Sequence, residues 1–146
     1  MSRKAQFQTP PLDASPEKPV GWGPKMVRGI RGAITVEEDT PEAIHSATRE
    51  LLLKIMELNH IRPEDLAAVI FTVTEDLSSA FPAEAARQIG LHRVPLLSAR
   101  EIPVPGSLPR VIRILALWNT DTPQEEVRHV YLKEAVRLRP DLESAQ

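Results

Sequence analysis

An α+β fold, a mixed sheet of about five strands with one long helix and one short one, is predicted by three observations. Apolar residues recur at helical spacing along only one extended stretch, after Pro41. Several other stretches are short apolar runs rich in β-branched residues and bounded by Pro, Gly or polar clusters, as strands are. So little helix cannot cover both faces of a sheet whose strands read as buried, so the second face is expected to lie against other copies of the chain.

Residues 1–25 stand apart. Pro10, Pro11, Pro16, Pro19 and Pro24 with scattered charges leave too little apolar surface to offset the entropy of ordering. They read as a flexible arm or a packed extension, with Phe7 and Trp22 as the aromatic handles. The domain is expected over residues 26–146. Its first strand, 26–36, includes Gly29 and Gly32, where a backbone or a ligand can approach closely. Thr40 and Pro41 suit the N-cap and first turn of a helix whose apolar face is Ile44, Ala47, Leu51, Ile55 and Leu58. Asn59 is expected to close it in the left-handed conformation. A strand follows over 66–74. A short helix over 82–89 starts at Pro82 and stops at Gly90, and a third strand spans 94–98. Pro103, Pro105 and Gly106 break the chain before the run Val111 to Trp118. The last element, 130–139, has apolar residues that suit a strand or a helix, and the alternation of Val130, Leu132, Val136 and Leu138 favours the strand.

The composition closes off several function classes. A net charge of -2 and a pI near 6.1 give no general attraction for nucleic acid or an anionic membrane. No stretch approaches a membrane span. The absence of cysteine removes thiolate metal sites and a cysteine nucleophile, and fits a reducing, cytoplasmic setting. There is no Walker loop, dinucleotide fingerprint, His-Glu-x-x-His or serine elbow. His45, His60, His92 and His129 lack ligand spacing and read as surface or turn residues.

What remains is a set of arginines. Arg113 interrupts an otherwise apolar run that reads as a strand buried on both faces. A guanidinium does not shed its proton, so a buried one must face a structural carboxylate or a pocket for an anionic molecule. Arg28 and Arg31 lie on opposite faces of the first strand by alternation, and Gly32 beside Arg31 leaves room for a ligand. Arg137 and Arg139 share a side with Tyr131 if the last element is a strand. Glu101 precedes a Pro-rich loop, a common setting for functional side chains. Arginines, a tyrosine hydroxyl and one carboxylate suit a small polyanion bearing a hydroxyl group, not proton transfer.

Several of these residues fall in longer motifs: Val27-Arg28-Gly29-Ile30-Arg31-Gly32-Ala33, Asn59-His60, Phe81-Pro82-Ala83, Arg113 in its strand, Arg128-His129-Val130-Tyr131-Leu132 and Leu138-Arg139-Pro140-Asp141-Leu142. Together they resemble the monofunctional chorismate mutases of the trimeric α+β pseudo-barrel class, which are unrelated to the all-helical ones. The resemblance implies a five-stranded sheet with one long helix, three copies around a pseudo-barrel, and sites in the clefts between them. It also implies that the last element is mainly strand. The implied reaction is the Claisen rearrangement of chorismate to prephenate, with no cofactor and no covalent intermediate, in the pathway to phenylalanine and tyrosine.

On that resemblance Arg113 would donate to the ether oxygen and a carboxylate, and Glu101 would accept from the ring hydroxyl. Arg31 and Tyr131 would grip the enolpyruvyl carboxylate. Phe81, Ala83, Arg87, Leu97 and Ser98 would line the pocket, the Phe81 to Arg87 group from across a subunit boundary, while Leu138 and Arg139 would help close it. Glu84 and Ser98 depart from the family's frequent lysine and cysteine, and the segment 89–94 is one residue shorter. Two rivals share parts of the pattern: imine or enamine deaminases of the same trimeric architecture, and a non-catalytic module that binds small carboxylates.

Overall fold

The computed structural model of the chain describes residues 25–139. Nearly all of the Pro-rich arm, and residues 140–142 of the last motif, lie outside the described residues. Five strands, β1 Met26–Thr35, β2 Leu66–Val73, β3 Leu96–Arg100, β4 Val111–Thr120 and β5 Val130–Leu132, form one sheet in the order β3-β2-β4-β1-β5. The central strand β4 is antiparallel to β1 and β2, while β3 and β5 run parallel to their inner neighbours. The sheet is therefore mixed, and with helices α1 Pro41–Asn59 and α2 Pro82–Gln88 the fold is α+β.

Helix α1 begins where its caps predict, with the Ala43 N–H donating to Thr40 Oγ1 at 3.1 Å and Pro41 in the first turn. Its face of Ile44, Leu51, Leu52 and Ile55 packs on Ile30, Ile34, Phe71, Ile112 and Ile114 of the sheet. Each such side chain contributes about 1.5–3 kcal/mol by leaving water. Gly32 permits the close approach, because a Cβ there would lie 2.7 Å from Ile55 Cδ1 and 3.1 Å from the Val130 carbonyl oxygen. The space beside Arg31 is thus taken by α1 and β5, not by a ligand as the sequence suggested. The helix ends at His60 (φ 55), not with a left-handed Asn59. Asn59 stays helical because its amide is engaged elsewhere: it donates to the Ile55 and Arg128 carbonyls and accepts the Arg128 N–H at 2.8 Å.

Three further expectations change. The strand of Arg113 is not buried on both faces within the chain: Ile112, Ile114 and Ala116 point under α1, while Arg113 and Leu115 face outward and are partly open. The outward residues are also apolar around Arg113, which hid the alternation. The third strand starts at Leu96 rather than 94, because Pro95 has no N–H to give a ladder and only its carbonyl pairs, with the Val69 N–H. The last element is strand only over Val130–Leu132 and then a 3-10 helix over Lys133–Leu138. Lys133 takes φ 55 there and the Glu134 N–H bonds Thr35 Oγ1, which ends the ladder. Arg137 therefore does not share a strand face with Tyr131, and pairs instead with Glu134 at 3.6 Å.

Candidate active site

The sheet face turned away from α1 carries Arg31, Arg113 and Tyr131. Thr72, Arg113, Ala33 and Tyr131 are successive register partners across β2, β4, β1 and β5, so their side chains stand in one row on that face. Ala33, lying between Arg113 and Tyr131, keeps the middle of the row low. Arg31, two residues back along β1 and opposite Leu115, projects from the same face and is exposed. Tyr131 is buried with Ala33, Val111 and Ala135, and Leu138 packs against that cluster, so the 3-10 helix brings the chain end back to the row. Arg139, next in sequence, is partly buried.

Glu101 directly follows β3, and its N–H extends the ladder by donating to the Val73 carbonyl at 2.8 Å. Its carboxylate accepts from Thr72 Oγ1 at 2.5 Å, and the same oxygen lies 3.3 Å from Arg113 Nε. The Arg113–Glu101 approach is within ion-pair range but is not aligned as a hydrogen bond, and Arg113 Nε is buried without a hydrogen-bond partner. Of the two alternatives for Arg113, a carboxylate is present within the chain. Glu101 lies beside it, while the Arg113 side chain is 41% exposed.

Of the other predicted residues, Leu97 shares the outer face, in register with Ile70, Leu115 and Arg31, and the rest lie off it. Phe81 stands at the N-cap of α2, 67% exposed, and shares a cleft of about 510 Å³ with Glu84 and Ser98. Arg113 and Glu101 do not line that cleft; Glu101 lines a second one, of about 360 Å³, with the 102–109 loop. Arg87 is exposed on α2, Leu97 is exposed on β3, and Ala83 is buried in the main core. Ser98 Oγ and Arg113 Nε are the two buried side-chain polar atoms that lack a hydrogen-bond partner among the described residues. A buried unsatisfied polar group costs about 1–3 kcal/mol, and such groups call for an explanation. Both belong to the predicted site.

The loop that carries Phe81 is fastened from beneath. Asp39 accepts the Ser78 and Ser79 N–H groups at 3.0 and 3.1 Å and the Ser79 hydroxyl at 2.8 Å. The Ser79 hydroxyl, foremost, and the two N–H groups hold the Asp39 carboxyl below its ordinary range. Glu84 is tied to α1 through His45 at 3.0 Å.

Sequence reasoning missed Thr72 and His129. Thr72 is legible only once β2 and β4 are in register. His129, expected at the surface, is partly buried and its Nδ1 accepts the Arg31 backbone N–H at 3.0 Å. Burial, then the Arg31 and Arg139 cations, lower its pKa from the ordinary 6.5. No spacing signal could reveal a contact made across so much chain. Among the described residues there is no group of His, Asp and Glu suited to hold a metal ion, and no helix long and apolar enough to cross a membrane.

Fold and site together define an α+β protein whose outer sheet face gathers cations, a tyrosine and one oriented carboxylate. Comparison with known proteins narrows this. The family described as chorismate mutase type I matches residues 27–142. Chorismate mutase AroH of Thermus thermophilus is 87% identical over 122 residues, covering 83% of this chain and 100% of that protein. Chorismate mutase AroH of Bacillus subtilis (strain 168) is 48% identical over 118 residues, covering 80% of this chain and 93% of that protein. A solved structure of a chorismate mutase from Clostridium thermocellum has a TM-score of 0.73 at 44% identity, covering 73% of this chain and 96% of that one. The chain belongs to the type I chorismate mutase family, whose members are isomerases of aromatic amino acid biosynthesis. The deaminase and non-catalytic readings give way to this one.

Proposed function

We propose that this chain rearranges chorismate to prephenate, without a cofactor, in clefts that are each completed by two copies of a cytoplasmic homotrimer. The reaction breaks the ether C–O bond as a C–C bond forms within one molecule, so the protein supplies no proton and no nucleophile. It must hold the compact conformer in which the two carbons meet, and favour the charge that separates as the ether opens. Arg113 donates to the ether oxygen as it becomes negative. Glu101, oriented by Thr72, accepts from the ring hydroxyl and faces the ring as it becomes electron-poor. Arg31 and Tyr131 hold the enolpyruvyl carboxylate, and Leu138 and Arg139 cover it. Phe81, Ala83 and Arg87 supply a wall from the neighbouring copy, and Leu97 and Ser98 also line the pocket.

The observation that carries this reading is the Arg113 guanidinium, partly open on the outer face, with Nε buried and unsatisfied 3.3 Å from the Glu101 carboxylate. A fixed donor with unused capacity, in a row with Tyr131, suits an oxyanion that develops during the reaction. The trimer is supported by what the single chain leaves uncovered: Val27, Leu97 and Leu115 on the outer face, and Phe81 beside the cleft.

The test is chorismate consumption by purified protein in chelator-treated buffer without added cofactor, with the product identified by NMR and the assembly sized by sedimentation. Saturable conversion to prephenate by a trimer is expected. Conversion that depends on added metal, or a 16.3 kDa monomer with full activity, would contradict the reading.

A further inference from the structure

Beyond the residues that face substrate, the structure contains a device that acts on one of them from behind. Parallel pairing of β5 with β1 spans only Val130–Leu132 against Gly32–Ile34. One residue earlier, the Arg31 N–H points toward the β5 side of the sheet, where the chain has not yet become strand. An N–H at such a sheet edge needs an acceptor. The acceptor is the His129 ring, whose Nδ1 lies 3.0 Å from Arg31 N. The imidazole thus lengthens the ladder by one rung at the residue whose side chain projects onto the outer face.

The ring is held on both sides. Asn59, buried at the end of α1, accepts the N–H of Arg128 at 2.8 Å and donates to its carbonyl at 2.9 Å. On the other side Val130 pairs with Gly32. His129 is therefore a rigid link between the end of α1 and the backbone of Arg31.

We propose that His129 is a positioning residue for substrate binding: as a neutral imidazole accepting the Arg31 N–H, it fixes the stretch of β1 that aims the Arg31 side chain at the substrate carboxylate. An N–H partner at Nδ1 requires the proton to sit on Nε2. Protonation turns Nδ1 into a donor facing a donor, and adds a cation beside Arg31 of β1 and Arg139 beyond the 3-10 helix. Those two guanidinium groups are the charges that act on the ring, and both oppose its protonation, as burial does. The link therefore persists to lower pH than an ordinary imidazole allows, and fails below that. This inference rests on Arg31 being a substrate-binding residue.

The experiment compares chorismate KM and kcat for wild type, His129→Leu, His129→Asn and Arg31→Ala, each confirmed folded by circular dichroism and melting. Leucine removes the acceptor, whereas asparagine returns an oxygen near the place of Nδ1 and does not titrate. His129→Leu is expected to raise KM roughly tenfold, the scale of one lost hydrogen bond, with kcat close to wild type. His129→Asn should recover most of that loss. Wild-type KM should climb as pH falls below the ordinary imidazole range, and the asparagine variant should not follow. An unchanged KM in His129→Leu, an asparagine variant as impaired as leucine, or identical pH profiles for wild type and asparagine would overturn the positioning role. If Arg31→Ala leaves KM unchanged, the assignment of Arg31 falls and the inference falls with it. If Arg31→Ala raises KM and His129→Leu does not, the inference alone is lost.

Discussion

Beneath α1 the sheet buries Ile30, Ile34, Phe71 and Ile112 completely, whereas its opposite face leaves Arg31, Thr72, Arg113 and Leu115 at least partly open. The same strands supply both sets, because neighbouring residues point to opposite sides. One face gains its free energy from apolar burial and close packing, to the point that Gly32 has no room for a methyl group. The other tolerates an unsatisfied guanidinium nitrogen and an ion pair without hydrogen-bond alignment. A folded scaffold and the proposed reactive surface are thus separated by the thickness of a single sheet, and substitutions on the two sides should fail in different assays.

The largest effect is expected on the closed side. Phe71→Ala empties a fully buried site in the main core and should destabilise the fold by about 3–5 kcal/mol. Denaturant unfolding measures this, and turnover per folded molecule should stay near wild type. On the open side Arg113→Ala should do the reverse, losing at least ~10²–10³ in kcat with little change in melting temperature. Arg113→Lys should fare badly too, since an ammonium cannot reproduce a planar fork of donors. A lysine variant with normal turnover would dissolve the contrast between the faces. A smaller and more diagnostic change is Glu101→Gln, which keeps an acceptor for Thr72 and for the ring hydroxyl proposed to bind there, but removes the charge. A lowered kcat with KM nearly unchanged is expected, and normal kcat would show that the negative field is not needed.

The smallest effect concerns the strap under Phe81. The Asp39 carboxyl is held below its ordinary range, chiefly by the Ser79 hydroxyl. A carboxylate with a depressed native pKa adds stability above its unfolded value, and that stability is lost as pH falls through the native one. Asp39→Asn should therefore melt slightly below wild type at neutral pH, and the gap should close in acid. A gap that persists in strong acid would mean that the charge contributes nothing.

Much of this division could be read from the chain, and what could not has physical causes. The helix start at Thr40 and Pro41 was legible because capping is local chemistry. Arg113 and Glu101 stood out because a charge in an apolar run, or beside a Pro-rich loop, is conspicuous in any fold, and the two do meet. The end of β5 was not legible. Val136 and Leu138 continue the alternation of Val130 and Leu132, yet Lys133 turns left-handed and the backbone leaves the sheet. Gly32 suggests space for a ligand because sequence shows an absent side chain without showing what fills the gap. Thr72 and His129 acquire meaning only from register and from contacts across the chain, to which periodicity is blind.

The central claim, that the outer face is completed by a second copy carrying the Phe81 to Arg87 wall, is tested most directly by mixing two crippled chains. Arg113→Ala and Arg87→Ala proteins would be assayed alone, then unfolded and refolded together, with mixed assemblies verified by native mass spectrometry. Each parent should be impaired. The mixture should exceed both, because some clefts then combine an intact Arg113 face from one copy with an intact Arg87 wall from another. A fully active Arg87→Ala parent, or verified mixed assemblies no more active than the parents, would contradict the account.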